Sequence, residues 1–182
     1  HPVKPRNADR EDKADAASAP PGFELPAETS QAADAAAPSA MTVVLTVLAP
    51  RGQPFTGPRI QAVAEELNLR LSAEGVFERF PDQETAGSAP IFGMAHLRKP
   101  GSFDLQTLGD LSTPGLLLFM NLPGPLEGTE ALDLLVIDAD HLARHLGGAI
   151  CDERHNRLSN ARLLQLRSQV ADFERRWLDL LD

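Results

Sequence analysis

The stretch that decides the fold is Leu116-Leu117-Leu118-Phe119-Met120, which follows Thr113-Pro114-Gly115 and ends before Pro123-Gly124-Pro125. Apolar residues between two turn signals predict a short strand, and since successive side chains point to opposite faces, this strand is apolar on both. Parallel sheets cover both faces with helices, but each parallel pair needs a long crossover, and the chain has too few helical segments. We therefore expect a largely antiparallel sheet with helices on one face and a binding surface on the other.

The amino-acid composition divides the chain into two unequal parts. Residues 1–40 are rich in Ala, Pro, Asp, Glu and Ser, and nearly their only large apolar side chains are Val3, Phe23 and Leu25. Such a segment cannot bury enough apolar surface to offset backbone ordering, which costs roughly 1 to 2 kcal/mol per residue. We expect residues 1–40 to form a disordered, extended linker and residues 41–182 to form one folded domain.

Charge and cysteine content exclude several classes of protein. The 182 residues have a formal net charge of -9 and no basic cluster beyond short groups such as Arg98-Lys99, which argues against binding to nucleic acid. The one cysteine, Cys151, excludes an internal disulfide. No apolar run approaches the ~20 residues that span a bilayer, and no signal peptide is visible. We expect a soluble chain that is compatible with a reducing compartment.

The spacing of apolar residues predicts the order of the elements. Thr56-Gly57-Pro58 is typical of a helix start, and Thr129 and Ser159 are placed to cap two later helices. Because strands that are neighbours in sequence are joined by short loops, we expect an α+β fold with the helices on one face of the sheet. The predicted elements are a strand at 42–49, a helix after 56, strands at 75–80, 91–97 and 116–122, a helix after 129, short strands at 148–151 and 157–158, and a closing helix after 159.

Two histidines on the second predicted helix raise the question of a metal site. His141 and His145 share a helical face, and Cys151 and His155 downstream could complete a tetrahedral zinc site. The HExxH signature and any CxxC pair are absent. A simpler interpretation makes both histidines solvated or helix-terminal residues, where a cation favours the helix C-terminus. We therefore expect no metal and no cofactor.

No arrangement of residues predicts an enzyme. Acidic pairs such as Glu65-Glu66 could supply acid/base catalysis, but such charges more often form a solvated face. Ser102 and Ser159 have no recognisable base nearby, and the sequence contains neither a nucleophile elbow nor a phosphate-binding glycine loop. Two alternatives stay open. One is a small metal- or ligand-binding enzyme domain with a deep pocket, and the other is a dimer that associates through the sheet face.

A candidate binding surface lies on the sheet face away from the helices. Gly93 and Ala95 are small and would leave a shallow trough there, provided that neighbouring strands supply larger walls. An apolar trough fits a peptide. The alternatives are that the linker or a second copy covers this face, or that Leu117 and Phe119 point to the helix side. The predicted floor and rim comprise Thr42, Val44, Thr46, Ala95, Leu97, Lys99, Leu117 and Phe119.

Two motifs carry a resemblance to a known family. The runs MAHLRKPGSFD (94–104) and TPGLLLFM (113–120) are similar to the C-terminal FtsZ-binding domain of the ZipA family of bacterial cell-division proteins. KPGxFD and TPGxxxFM occur together at compatible spacing, and the similarity extends through 143–148 to the last helix. It therefore covers nearly all of residues 41–177.

The resemblance implies a six-stranded antiparallel sheet with three helices, and a second sheet face that binds the C-terminal tail of FtsZ in a shallow apolar groove. It implies an adaptor that tethers FtsZ at the division site, on the cytoplasmic face of the inner membrane, through an N-terminal anchor upstream of this sequence. The family often presents a methionine from the second strand, where Glu74 and Gly75 are the nearest residues here. The implied groove positions are Thr42, Val44, Thr46, Ala95, Leu97, Lys99, Leu117 and Phe119.

Overall fold

The order of the elements follows the predicted alternation of strands and helices. A computed structural model describes residues 40–83 and 87–181. In chain order these ranges contain β1 (Met41–Leu48), β2 (Phe55–Thr56), α1 (Gly57–Glu66), β3 (Arg70–Leu71), β4 (Phe77–Arg79), β5 (Phe92–His96), a 3-10 turn (Leu108–Asp110), β6 (Ser112–Thr113), β7 (Gly115–Leu122), α2 (Gly128–Leu146), β8 (Ala149–Cys151) and α3 (Asn160–Leu181).

One sheet contains six of these strands in the order β3-β4-β5-β7-β1-β8, and β2 pairs with β6 separately. Each of the pairings within the described ranges is antiparallel. β7 lies at the centre, between β5 and β1, as a strand that is apolar on both faces requires. The predicted α+β fold, with a six-stranded antiparallel sheet and three helices, is confirmed for the described ranges.

The helices pack on one face of the sheet and share one hydrophobic core with it. α1, α2 and α3 contribute buried residues to this core, among them Ile60, Leu135 and Val170. The strands contribute every second residue, as expected when one face of a sheet is buried. The core residues from the strands of the six-stranded sheet are Val43, Leu45, Val47, Phe77, Phe92, Met94, Leu116, Leu118, Met120 and Leu122, and β2 adds Phe55.

Two of the helices begin where the sequence predicts. α1 follows Thr56 and has Pro58 in its first turn, where a missing N–H costs nothing. Ser159 caps α3, because its Oγ accepts a hydrogen bond from the backbone N–H of Arg162 at 3.0 Å. α2 ends at Gly147, whose φ of 80° lies in the left-handed region that favours glycine.

The start of α2 differs from the prediction that Thr129 caps it. The helix begins at Gly128, and the Thr129 hydroxyl donates instead to the Glu127 carboxylate at 3.3 Å. A Cβ at Gly128 would stand 2.8 Å from Val170 Cγ1 and 2.9 Å from Glu174 Cδ of α3. Close packing of α2 on α3 therefore places the glycine, rather than the threonine, at the helix start.

The short strands were the least predictable elements. The strand predicted at 157–158 is an isolated bridge between Cys151 and Arg157, and the sixth strand of the sheet is instead β3. β2, β3 and β6 have two residues each, which is too short for an alternating pattern to be visible. Their pairing is decided by the surrounding chain.

The predicted linker at residues 1–40 lies outside the described residues, except for Ala40. Among the helices that the structure does describe, none combines the length and the apolar character needed to cross a bilayer.

Candidate functional site

The sheet face opposite the helices, which we call the second face, brings predicted site residues from three strands together. Its centre has two rows of cross-strand partners. One row joins Phe119 to Gly93 and Val44, and the other joins Leu117 to Ala95 and Thr46. Because cross-strand partners project to the same side of a sheet, these side chains are neighbours. Leu117 and Phe119 therefore lie on the second face and not on the helix side.

The centre of the second face is a small apolar cluster of its own. Leu117 is 1% exposed and Phe119 is 8% exposed, although neither belongs to the core beneath the helices. Val44 and Leu97 are half-buried. The described residues that are buried and apolar but lie outside that core are Val76, Ala95, Leu117, Phe119 and Cys151.

The ring of Phe119 fills the space above Gly93. A Cβ at position 93 would stand 2.4 Å from Phe119 Cζ and 3.0 Å from Val76 Cγ1. The trough expected over Gly93 is therefore occupied by this ring, because an aromatic side chain on the partner strand covers the glycine. Sequence reasoning did not name Val76, which lies beside this ring; it named only Glu74 and Gly75, in the preceding turn, as the residues nearest to the family's strand-two methionine.

Thr46 lies in the floor of the second face rather than at its rim. The residue is fully buried, between Leu117 on β7 and Cys151 on β8. Its hydroxyl donates to the backbone carbonyl of Asp152 at 3.0 Å, so it ties the turn after β8 to the sheet. Burial raises the pKa of the Cys151 thiol, with a further contribution from Asp152, which makes this thiol a poor nucleophile.

The remaining predicted residues lie at the margins of the second face. The Thr42 hydroxyl donates to Asn121 Oδ1 at 2.8 Å at the start of β1. The backbone N–H of Leu97 donates to the Gly115 carbonyl at 3.0 Å, just past the end of β5. Lys99 lies beyond the predicted strand 91–97, in the turn that follows β5, and is exposed. Its ammonium group is therefore available at the rim.

A buried histidine shapes the turn that carries Lys99. His96 Nδ1 accepts the backbone N–H of Arg98 at 3.2 Å, so Nε2 carries the proton that it donates to the Ser102 carbonyl at 3.1 Å. The ring also packs on Phe103, with 4.9 Å between centroids. Burial lowers the pKa of His96, and the hydrogen bond to Ser102 partly opposes this shift. A neutral imidazole thus holds the turn in place.

The β3–β4 edge of the second face is charged. Arg70 pairs with Glu78 across the two strands, and Glu78 is the partner of Gly93 on β5. Burial raises the pKa of Glu78, Glu74 adds to the shift, and Arg70 opposes it. This edge bounds the apolar centre, and it escaped prediction because β3 itself was not recognised.

The enzyme alternative would require a pocket and a perturbed group in the same place. A surface cavity of about 710 Å³ is lined by residues that include Arg79, Asp82, Glu130 and Asp133. Burial raises the pKa of Asp138, and the Arg79 guanidinium, 2.7 Å away, opposes the shift. Asp138 is not among the lining residues of the cavity. Its carboxyl serves an ion pair between α2 and β4.

The four residues weighed for a zinc site are not brought together. His141 and His145 lie on α2, and the described group of ligand-type side chains around them contains Glu66 instead of Cys151 and His155. Cys151 is buried in β8, and His155 follows it in the next turn.

These features define an α+β domain whose antiparallel sheet has helices on one face and a separate apolar cluster on the other. The model of one family, described as ZipA, C-terminal FtsZ-binding domain, matches residues 41–169. The chain belongs to the ZipA family of cell-division proteins, and the resemblance carried by the two motifs is confirmed.

Several curated relatives are named cell division protein ZipA. The protein of Marinobacter nauticus is 31% identical over 153 residues, which cover 83% of this chain and 45% of the relative. The protein of Azotobacter vinelandii is 34% identical over 137 residues, which cover 75% of this chain and 47% of the relative. The protein of Xanthomonas axonopodis pv. citri is 31% identical over 133 residues, which cover 73% of this chain and 54% of the relative. The chain thus spans about half the length of the curated relatives that it matches.

Proposed function

We propose that this protein is a non-enzymatic cell-division adaptor whose second face binds the C-terminal tail of FtsZ. The family to which the chain belongs supports FtsZ as the partner. The observation that carries the assignment to this face is the apolar cluster outside the main core, centred on Leu117 and Phe119. An apolar cluster on the sheet face opposite the helices supports a site for a peptide.

The chemistry of the second face fits a short amphipathic segment. Val44 and Leu97 are half-buried beside Phe119 and Leu117, and they offer apolar surface to a peptide. Burial of a few hundred Å² of apolar surface at about 25 cal/mol per Å², less the cost of ordering the peptide, corresponds to roughly micromolar affinity. Lys99 at the rim contributes orientation toward an acidic group of the peptide more than affinity.

We further propose that the protein holds FtsZ at the cytoplasmic face of the inner membrane through an anchor that precedes this sequence. The matched relatives are about twice as long as the matched region, which leaves room for such a segment. Residues 1–40 would then act as the linker that spans the distance between the anchor and the domain. Their Pro and Ala content favours an extended chain.

The test is binding of a synthetic FtsZ tail peptide, measured by isothermal calorimetry. Phe119→Ala should abolish most binding, and Val44→Gln should weaken it by about tenfold or more, because each removes apolar contact from the second face. Val44→Gln is the more informative variant, since Val44 is half-buried and the fold should tolerate the change. Ile137→Gln is the matched control, because Ile137 is 60% exposed on α2.

Two results would contradict the assignment. Unchanged affinity in both second-face variants would remove the peptide site from this face. Concentration-dependent sedimentation without peptide, lost in Val44→Gln, would instead favour the alternative that two copies of the chain associate through this face.

A further inference from the structure

A cluster of metal-ligand side chains lies on the helix side of the molecule, away from the second face. Glu66 ends α1, and His141 and His145 are one turn apart on α2. One ligand atom from each of the three lies within 4.8 Å of the other two. His141 Nε2 is 3.0 Å from Glu66 Oε1, and the two imidazole rings stack with 4.0 Å between centroids.

Packing fixes the backbone beneath this cluster. Leu142 and Leu146 of α2 and Ala64 of α1 are buried in the common core. The Arg59 guanidinium donates to the His145 carbonyl at 2.6 Å, which ties the first turn of α1 to the end of α2. The two helices therefore hold the backbones of the three ligand residues at a set separation.

The ligand side chains themselves keep the freedom to rotate. The His141 side chain is 28% exposed and that of Glu66 is 55% exposed. In a tetrahedral zinc site two ligand atoms lie about 3.3 to 3.5 Å apart, since zinc binds imidazole nitrogen at ~2.0–2.1 Å and carboxylate oxygen at ~2.0–2.2 Å. His141 Nε2 and Glu66 Oε1 are already closer than this, and coordination by both imidazoles requires one ring to rotate out of the present stack.

We propose that Glu66, His141 and His145 bind one divalent transition-metal ion, for which Zn²⁺ is the probe of choice. Two imidazoles and one carboxylate form a ligand set that zinc accepts, and solvent can supply the fourth ligand. Calcium and magnesium are excluded because they prefer oxygen ligands alone. The ion replaces the Glu66–His141 hydrogen bond with two bonds to metal and joins the end of α1 to α2.

Neighbouring charges are compatible with a cation at this position. Arg144 pairs with Asp140 at 2.9 Å, so its charge is offset. The positive charge of the Arg59 guanidinium, which lies at the His145 carbonyl, opposes the binding of a cation. Glu66 supplies the negative charge among the three ligands.

The experiment is a zinc titration of the chain by isothermal calorimetry, together with thermal unfolding at saturating zinc. We expect one ion per chain and a Tm that rises by several degrees and returns with EDTA, because an ion that binds only the folded state stabilises it. His145→Ala and Glu66→Gln should each weaken zinc binding by about tenfold or more. Glu65→Gln is the matched control, since Glu65 is the exposed neighbour of Glu66, and it should leave the affinity unchanged.

Other outcomes would overturn the proposal. Zinc binding that persists unchanged in the double variant His141→Ala/His145→Ala, or the lack of any heat and Tm shift at about 1 mM zinc, would each do so. A loss of affinity in Cys151→Ser would point to a different ligand set. Circular dichroism of each variant establishes that the fold is retained, and the visible spectrum of bound Co²⁺ gives an independent measure of coordination.

Discussion

Gly93 and Phe119 form a complementary pair at the centre of the second face. The Phe119 ring occupies the volume that any side chain at position 93 would need. The glycine thereby leaves room for the aromatic ring of its cross-strand partner. The pair links packing to function, because the same ring is the proposed centre of peptide contact.

Gly93→Ala should therefore destabilise the fold and disturb the proposed site together. The new Cβ would stand 2.4 Å from Phe119 Cζ, and overpacking of this kind costs about 1 to 3 kcal/mol. Urea unfolding measures the loss, and peptide titration should show weaker binding. Gly109→Ala is the control, since no atom lies within 4 Å of a Cβ there. Equal stability of the two variants would show that the ring moves aside freely.

The elements that could be predicted are those whose own sequence carries enough signal. β1, β7 and the three helices show apolar spacing over at least eight residues each, and that spacing decides which face they bury. β3 could not be predicted because Arg70–Leu71 is too short for any pattern. The prediction for the start of α2 was wrong for another reason. Contact with α3 at Gly128 overrode the capping preference of Thr129.

The candidate site was predictable only in part for the same physical reason. Alternation places Leu117 and Phe119 on one face, and the pairing register then brings Ala95 and Val44 beside them. Alternation gives the face on which a side chain lies but not how far it extends over the neighbouring strand. The sequence therefore did not show that the Phe119 ring fills the space over Gly93. The sequence pointed to His141 and His145 together but not to Glu66, because Glu66 is distant in sequence from the histidines that it meets.

At the scale of α3, the cap residue Ser159 offers a direct measure of local stability. Ser159→Ala removes the acceptor of the Arg162 backbone N–H, and we expect a loss of about 1 kcal/mol in the free energy of unfolding. Ser168→Ala is the matched control, because Ser168 is exposed within the same helix and alanine favours a helix interior. Denaturant unfolding would contradict the cap if both variants changed stability alike.

At the scale of the whole molecule, one ion pair joins the sheet to the helix layer. Arg79 of β4 contacts Asp138 of α2 at 2.7 Å, and their side chains are 17% and 5% exposed. Burial raises the pKa of Asp138 in spite of the arginine. A carboxyl whose pKa is raised on folding stabilises the folded state most when it is protonated, so its contribution is lost as pH rises from the ordinary aspartate range through the raised value.

Arg79→Leu should make this pH dependence steeper. Removal of the cation leaves Asp138 buried without its partner, which costs about 3 to 5 kcal/mol when the carboxyl is charged and less when it is protonated. Urea unfolding between about pH 4 and pH 7 should therefore show stability that falls with rising pH more strongly than in the parent. Arg144→Leu, which breaks an exposed pair with Asp140, should change stability by no more than about 1 kcal/mol. Parallel pH profiles of the two variants would contradict this role of the buried pair.

The position of β1 between β7 and β8 determines when the second face can form during translation. β1 is the first of the described strands in the chain, yet both of its partners in the sheet follow α1 and the middle strands. Leu48 pairs with Gly115 and Met41 with Leu122, so β1 stays without its partners in the sheet until β7 has been translated. Such distant pairing is slow to form. A ribosome-bound chain therefore cannot form the second face until β7 has emerged.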